Sequence, residues 1–331
     1  MFGYIVHRLL IMVPTLLGIS LLTFIIIQLP PGDYLTTYIA ELEAQGETAA
    51  EKVEQLRIEY GLDQPMWKQY LVWLGGLLQG DMGYSFEYGL PASVIIGDQL
   101  LLTFIVSFAT ILFTYVVSFP IGVYSATHQY SMTDYGLTFL GFLGLATPNF
   151  LLALVLLYFA NVTFGTSIGG LMDPEYLDQP WSWGKFLSIL EHLWVPVVVI
   201  GTAGTAGMIR RLRANLLDEL QKQYVVTARA KGLSPFRALV KYPLRMALNP
   251  FIADIGSLLP QVISGAAIVS VVLSLPTTGP MLLNALRSQD MYLAGSFLMC
   301  LAFLTVLGVL ISDLLLAMLD PRIRLGGGVQ R

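Results

Sequence analysis

The chain has 331 residues, of which 12% are charged and 55% belong to the apolar set AVILMFWYC. Soluble domains carry roughly 25% charged residues, so this chain has too few to cover a wetted surface, which excludes an ordinary cytosolic enzyme and a disordered tail. One cysteine, Cys300, excludes an internal disulfide, and three dispersed histidines, His7, His128 and His192, leave little for a histidine-based metal centre.

The first apolar run, Leu9 to Leu29, has no charged residue. At about 1.5 Å per residue it can cross a hydrocarbon core of roughly 30 Å. It is longer than the apolar core of a secretory signal, about 7–15 residues, and no A-x-A site follows at Leu29–Asp33. It therefore reads as a retained helix. Further spans are expected at about Leu100–Ala126, Leu137–Val162, Leu193–Ile209, Phe251–Leu275 and Leu293–Met318, making six. The fourth is the shortest, and Gly201, Gly204 and Gly207 suit it to close helix packing.

Lys and Arg set the orientation. With both termini inside, the cytoplasm holds Arg8, the basic residues of 210–250, and Arg322, Arg324 and Arg331, which is most of the 18. The expected topology is N-in and C-in. The external segments are acidic by contrast, with Glu41, Glu43, Glu47, Glu51, Glu54, Glu59 and Asp63 in one stretch.

Two polar segments interrupt the spans. Within the external segment 30–99, residues 41–60 read as a surface helix. Trp67, Tyr70, Trp73, Leu74, Leu77 and Leu78 then recur at helical spacing, which fits either an interfacial helix or an external cap packed on the spans. Farther on, Trp181 and Trp183 in the loop 163–192 fit an interfacial aromatic belt or a docking contact, and 276–292 reads as a turn around Pro276 and Pro280. The division expected is 1–99, the first span with its external segment, and 100–331, a core of five spans carrying a cytoplasmic loop at 210–250.

Enzyme chemistry is hard to place. No Walker A, H-E-x-x-H or G-x-S-x-G pattern occurs. Ser107, Ser257 and Ser270 read as helix-bonding serines. Asp254 and Asp313, the acids inside the spans, read as structural groups near headgroup level, too few for an ion-coupled carrier. The chain reads as a path without an engine. Transport against a gradient then needs a nucleotide-hydrolysing partner, and the largest cytoplasmic surface for one is 210–250.

That loop has a readable local structure. Thr227–Lys231 forms a short basic helix with a small face at Ala228. Gly232 can end it, because glycine reaches positive φ cheaply. Ser234-Pro235 then starts a second helix, with serine capping and proline at the first position. The product is either a compact knob that seats in a partner or a basic loop that only anchors topology.

The stretch Tyr224–Leu239 resembles the coupling loop of binding-protein-dependent ABC importer permeases, in the dipeptide/oligopeptide branch and of its first-permease type. Arg8-Leu9-Leu10, Pro14-Thr15-Leu16-Leu17-Gly18 and Pro31-Gly32-Asp33 resemble that branch's opening. Tyr60–Pro65, Gln69-Tyr70, Gly80–Ser85 and Leu319–Arg324 are similar as well. The resemblance covers nearly the whole chain. It implies an all-α polytopic membrane protein with six spans and the type I importer permease fold, in a bacterial or archaeal cytoplasmic (inner) membrane. It implies a second homologous permease, two cytosolic ATP-binding subunits and an external substrate-binding protein, but no nucleic acid. ATP and Mg would be bound by the partner subunits, with no cofactor and no catalytic residue in this chain. Coupling would fall to Thr227, Ala228, Arg229, Ala230, Lys231, Gly232, Leu233, Ser234 and Leu244.

Two departures are visible. The general coupling pattern begins Glu-Ala-Ala and ends Leu-Pro, and only Ala228, Gly232 and Leu244 match it. Thr-Ala-Arg-Ala-Lys-Gly is instead the form usual in the peptide branch. In addition, no acid occurs in Ser270–Leu275, where this branch often carries one. The substrate implied is a dipeptide or oligopeptide, with oligosaccharides, opines or nickel chelates as alternatives on the same scaffold. An autonomous carrier or an intramembrane enzyme are the more distant alternatives.

Overall fold

The computed structural model describes residues 2–29, 58, 64–85, 87–164, 169–177, 179–252 and 266–319. These are helical apart from short connections, one 3₁₀ turn at Pro174–Tyr176 and a two-residue antiparallel hairpin, β1 (Tyr84–Ser85) with β2 (Leu90–Pro91). Four of the helices are long and apolar enough to cross a membrane: α1 (Phe2–Gln28), α3 (Ala92–Thr127), α6 (Trp183–Leu220) and α11 (Met291–Leu319).

The expected third span, Leu137–Val162, is not one helix. It is α4 (Met132–Ala146) followed by α5 (Asn149–Phe164), bent by 96°. Thr147 precedes Pro148 and is extended, at φ −85° and ψ 119°. A residue before proline is driven out of the helical region, so α4 stops at Ala146. Counted as one span, the bent pair brings the number among the described residues to five. Of the expected span Phe251–Leu275, only 251–252 and 266–275 are described, with helix at 251–252 and 266–272; Asp254 lies outside them. The expected surface helix 41–60 also lies outside, except for Ile58.

The expected short fourth span sits inside the longest helix. α6 has 38 residues, starts where Ser182 Oγ accepts from the Lys185 N–H, and continues through Arg210, Arg211 and Arg213. Its length of about 57 Å exceeds the hydrocarbon core. Hydropathy marks where a helix crosses lipid, not where its hydrogen-bond ladder ends. The segment expected as a turn at 276–292 likewise holds a helix, α10 (Thr278–Arg287). Pro280 stands in its first turn, where a missing N–H costs nothing, and Met281 and Ala285 share the buried face.

The chain divides into two compact units. The first comprises Met1–Leu102 and Thr277–Leu307. Its core joins Ile95 and Ile96 of α3 with Met281 and Ala285 of α10 and Leu293 and Phe297 of α11. Helix α2 (Met66–Leu78) packs on α1. Phe24 lies 5.4 Å from the Tyr70 ring and 5.9 Å from the Trp73 ring, and the Ser20 and Tyr70 hydroxyls are 2.8 Å apart. Tyr70 and Trp73 thus face α1, while Trp67 and Leu78 stay exposed. The hairpin is tied down by Asp290, fully buried, which accepts from Ser85 Oγ at 2.6 Å and from the Leu293 N–H at 3.0 Å.

The second unit comprises Thr103–Pro276 and Gly308–Arg331. Here α6 is the spine, carrying α4 and α5 along its length and the connections that follow it at its end. Gly201 allows a close approach, since a Cβ there would stand 2.7 Å from Phe113 Cδ1. Asp313 lies half-buried on α11.

Candidate functional site

The expected coupling residues lie on or between three short helices beyond the end of α6: α7 (Gln223–Ala230), α8 (Pro235–Lys241) and α9 (Pro243–Ala247), with Thr227–Ala230 on α7, Lys231–Ser234 in the α7–α8 connection and Leu244 on α9. A turn through Gln221 and Lys222 leads into α7, with the Lys222 N–H bonding the Glu219 carbonyl at 3.2 Å. Val225 and Ala228, three residues apart, form the buried face of α7. Thr227, Arg229 and Ala230 face outward.

The end of α7 is a paired carbonyl cap. The Gly232 N–H bonds the Arg229 carbonyl at 3.0 Å and the Leu233 N–H reaches back to the Ala228 carbonyl at 3.2 Å. This Schellman arrangement needs a left-handed residue between them, and Gly232 supplies it with φ 85°. Ser234 then caps α8, its Oγ accepting from the Arg237 N–H at 3.4 Å, and Pro235 occupies the first helical position. Two helices are therefore joined by four residues, Lys231 to Ser234, with terminal groups satisfied locally. Tyr242, before Pro243, leaves the helical region at ψ −77° and starts α9.

A buried base holds this assembly. Met208, Leu212 and Leu216 of α6 pack with Ala126 of α3 and with Ala247 and Phe251, and Leu239, Leu244 and Leu248 close over them. The Arg211 guanidinium lies 5.6 Å from the centre of the Phe251 ring, whose backbone carbonyl accepts from Tyr115 Oη at 3.1 Å. Leu244 thus belongs to the base and is half-buried. Ala228 is buried, Leu233 half-buried, and Thr227, Arg229, Ala230, Lys231, Gly232 and Ser234 are exposed.

The outward surface is mixed. Arg229, Lys231, Arg237 and Lys241 make it basic, and Phe236, 73% exposed, together with Val226 and Val240 makes it apolar. Tyr224 Oη donates to the Glu219 carboxylate. Partial burial and that carboxylate push the phenol pKa up, so the hydroxyl remains a donor across the physiological range. Exposed side chains of this kind around a well-capped backbone suit recognition by another protein; among the described residues no group of three His, Cys, Asp or Glu could hold a metal ion.

One residue next to this assembly escaped the sequence reading. Asp134, 1% exposed on α4, accepts from Arg213 Nε at 3.1 Å and from Arg213 Nη2 at 2.8 Å. The signal was present: Ser131-x-x-Asp134 before an apolar run is a capping-box pattern. Ser131 Oγ accepts from the Asp134 N–H, and the Asp134 carboxylate accepts from the Tyr130 N–H.

The sequence comparisons give the class of this multi-span helical protein. Residues 118–325 match the binding-protein-dependent transport system inner membrane component, and residues 1–106 match the N-terminal part of such components. The chain belongs to this family of multi-pass inner-membrane transport proteins. It is 37% identical over 325 residues to the oligopeptide transport system permease protein AppB of Bacillus subtilis, covering 98% of this chain and 99% of that one. It is 31% identical over 340 residues to the dipeptide transport system permease protein DppB of Escherichia coli K12. To the di/tripeptide transport system permease protein DppB of Pseudomonas aeruginosa it is 32% identical over 340 residues, with 98% and 99% covered in both of these cases.

Proposed function

We propose that this chain is the permease subunit of an ATP-driven importer and forms part of the path for dipeptides or oligopeptides delivered by an external binding protein. The observation that carries the coupling role is the exposed α7–α8 knob, rigidly capped at Gly232 and Ser234 and seated on the end of α6. Because α6 is one 38-residue helix, a displacement of the knob moves the helix as a body. The peptide permeases that match over nearly the full chain support a peptide substrate over an oligosaccharide, opine or nickel chelate.

In this reading the termini and the knob face the cytoplasm, as the Lys and Arg distribution favours. Two ATP-binding subunits hold the ATP and Mg, one of them seating against Thr227–Ser234, and a homologous second permease completes the path. Residues 1–99 contribute the first span and the external cap, and 100–331 the moving core. The test is co-purification in mild detergent followed by uptake in proteoliposomes. A tagged chain should bring down a nucleotide-binding subunit, and the assembly should take up a labelled peptide only with ATP and binding protein. A chain that purifies alone, or that drives peptide flux without ATP, overturns the proposal.

A further inference from the structure

We propose that the groove between α4 and α6 is a binding site for one anionic phospholipid. The two helices run antiparallel and are pinned at both ends of the groove. At one end they approach so closely that a Cβ on Gly144 would stand 2.7 Å from Thr202 Cγ2. At the other the Asp134–Arg213 pair bridges them. Between the pins, over about 15 Å of helix, lies a cavity of about 280 Å³ lined by Leu137, Gly141 and Leu145 of α4 and by Ala206, Arg210 and Arg213 of α6.

The lining is divided along the groove. Its apolar end, at Leu145 and Ala206, lies on two helices apolar enough to contribute to membrane spans, α4 together with α5, and α6 by itself. Its other end carries two guanidinium groups against one carboxylate. Arg213 uses Nε and Nη2 on Asp134 and keeps the remainder of its five N–H donors. Arg210 is exposed and makes no hydrogen bond or ion pair with any described residue. Basic pockets between membrane helices hold anionic headgroups. A zwitterionic lipid would bring its own cation to the arginines, and a soluble anion would leave the apolar end uncovered. An acyl chain along Leu137–Leu145 with its phosphate on Arg210 and Arg213 satisfies both ends.

The test is lipid retention by the purified full chain, read by native mass spectrometry after exchange into phosphatidylglycerol or phosphatidylcholine. A phosphatidylglycerol with a photoreactive acyl chain locates the contact. We expect one retained phosphatidylglycerol, cross-linked to peptides containing Leu145 or Ala206, and about fivefold weaker retention in Arg210→Gln, which removes one interfacial charge. Gly141→Leu fills the groove without changing charge and should abolish the cross-link. Soluble glycerol phosphate should not compete. Equal retention of the two lipids, or a cross-link that survives Gly141→Leu, overturns the proposal, as does competition by glycerol phosphate. None of these readouts requires ATP, a binding protein or a peptide, so failure here is distinct from failure of the transport assignment.

Discussion

Asp134 and Arg213 form a bidentate ion pair between α4 and α6, with N–O distances of 3.1 and 2.8 Å. The Asp134 side chain is 2% exposed and that of Arg213 27%. Removing one member of a buried pair strands the other, at a cost of about 3–5 kcal/mol when both are fully buried. Because Arg213 keeps contact with solvent, we expect Asp134→Ala to destabilise by about 1–3 kcal/mol. Thermal unfolding in detergent of Asp134→Ala, Arg213→Ala and the double variant checks this. If the two single losses simply add, the pair contributes nothing as a pair.

Gly232 sits at φ 85° with open space where a Cβ would go. Backbone strain is therefore the whole penalty, about 1–2 kcal/mol for an ordinary L-residue. Gly232→Val should loosen the α7–α8 joint and lower uptake per ATP hydrolysed, with normal membrane insertion. Gly232→Asn, which tolerates the left-handed region better, should retain most of the coupling. Parallel ATPase and uptake assays on the assembled transporter separate the two; equal coupling in both variants argues against a role for the joint.

Phe236 is 73% exposed on α8 and contributes little to the buried base. Phe236→Asp should leave the unfolding temperature within a degree or two of the parent. If the knob seats in an ATP-binding subunit, the buried charge should reduce co-purification of that subunit at least tenfold. Undiminished capture would place the contact elsewhere.

Gly83 combines two constraints, φ 78° and a Tyr292 ring whose Cδ1 would lie 2.4 Å from an added Cβ. Gly83→Ala should therefore dislodge the hairpin from α11 and increase proteolysis near 80–90 in membrane vesicles. Adding Tyr292→Ala relieves the clash but not the strained φ, so it should restore protection only in part. Full protection of Gly83→Ala alone would contradict the packing described.

Much of this protein is legible because its signals are local. Apolar runs report transfer into lipid, a property of each segment alone, and the α7–α8 joint is written in eight successive residues from Thr227 to Ser234, whose caps bond within one turn. Even so, hydropathy hid the break at Thr147-Pro148, because the apolar window continues across it. It also shortened α6 to its lipid-crossing part, since charged residues extend a helix into water without ending it. Other features depend on partners far apart in the chain. Asp134 meets Arg213 across 79 positions, and Asp290 meets Ser85 across 205. A carboxylate's local context cannot say which distant donor will reach it, because that depends on which helix faces pack together. The groove between α4 and α6 has the same origin: its apolar wall and its arginines come from two helices, and folding brings them onto one surface.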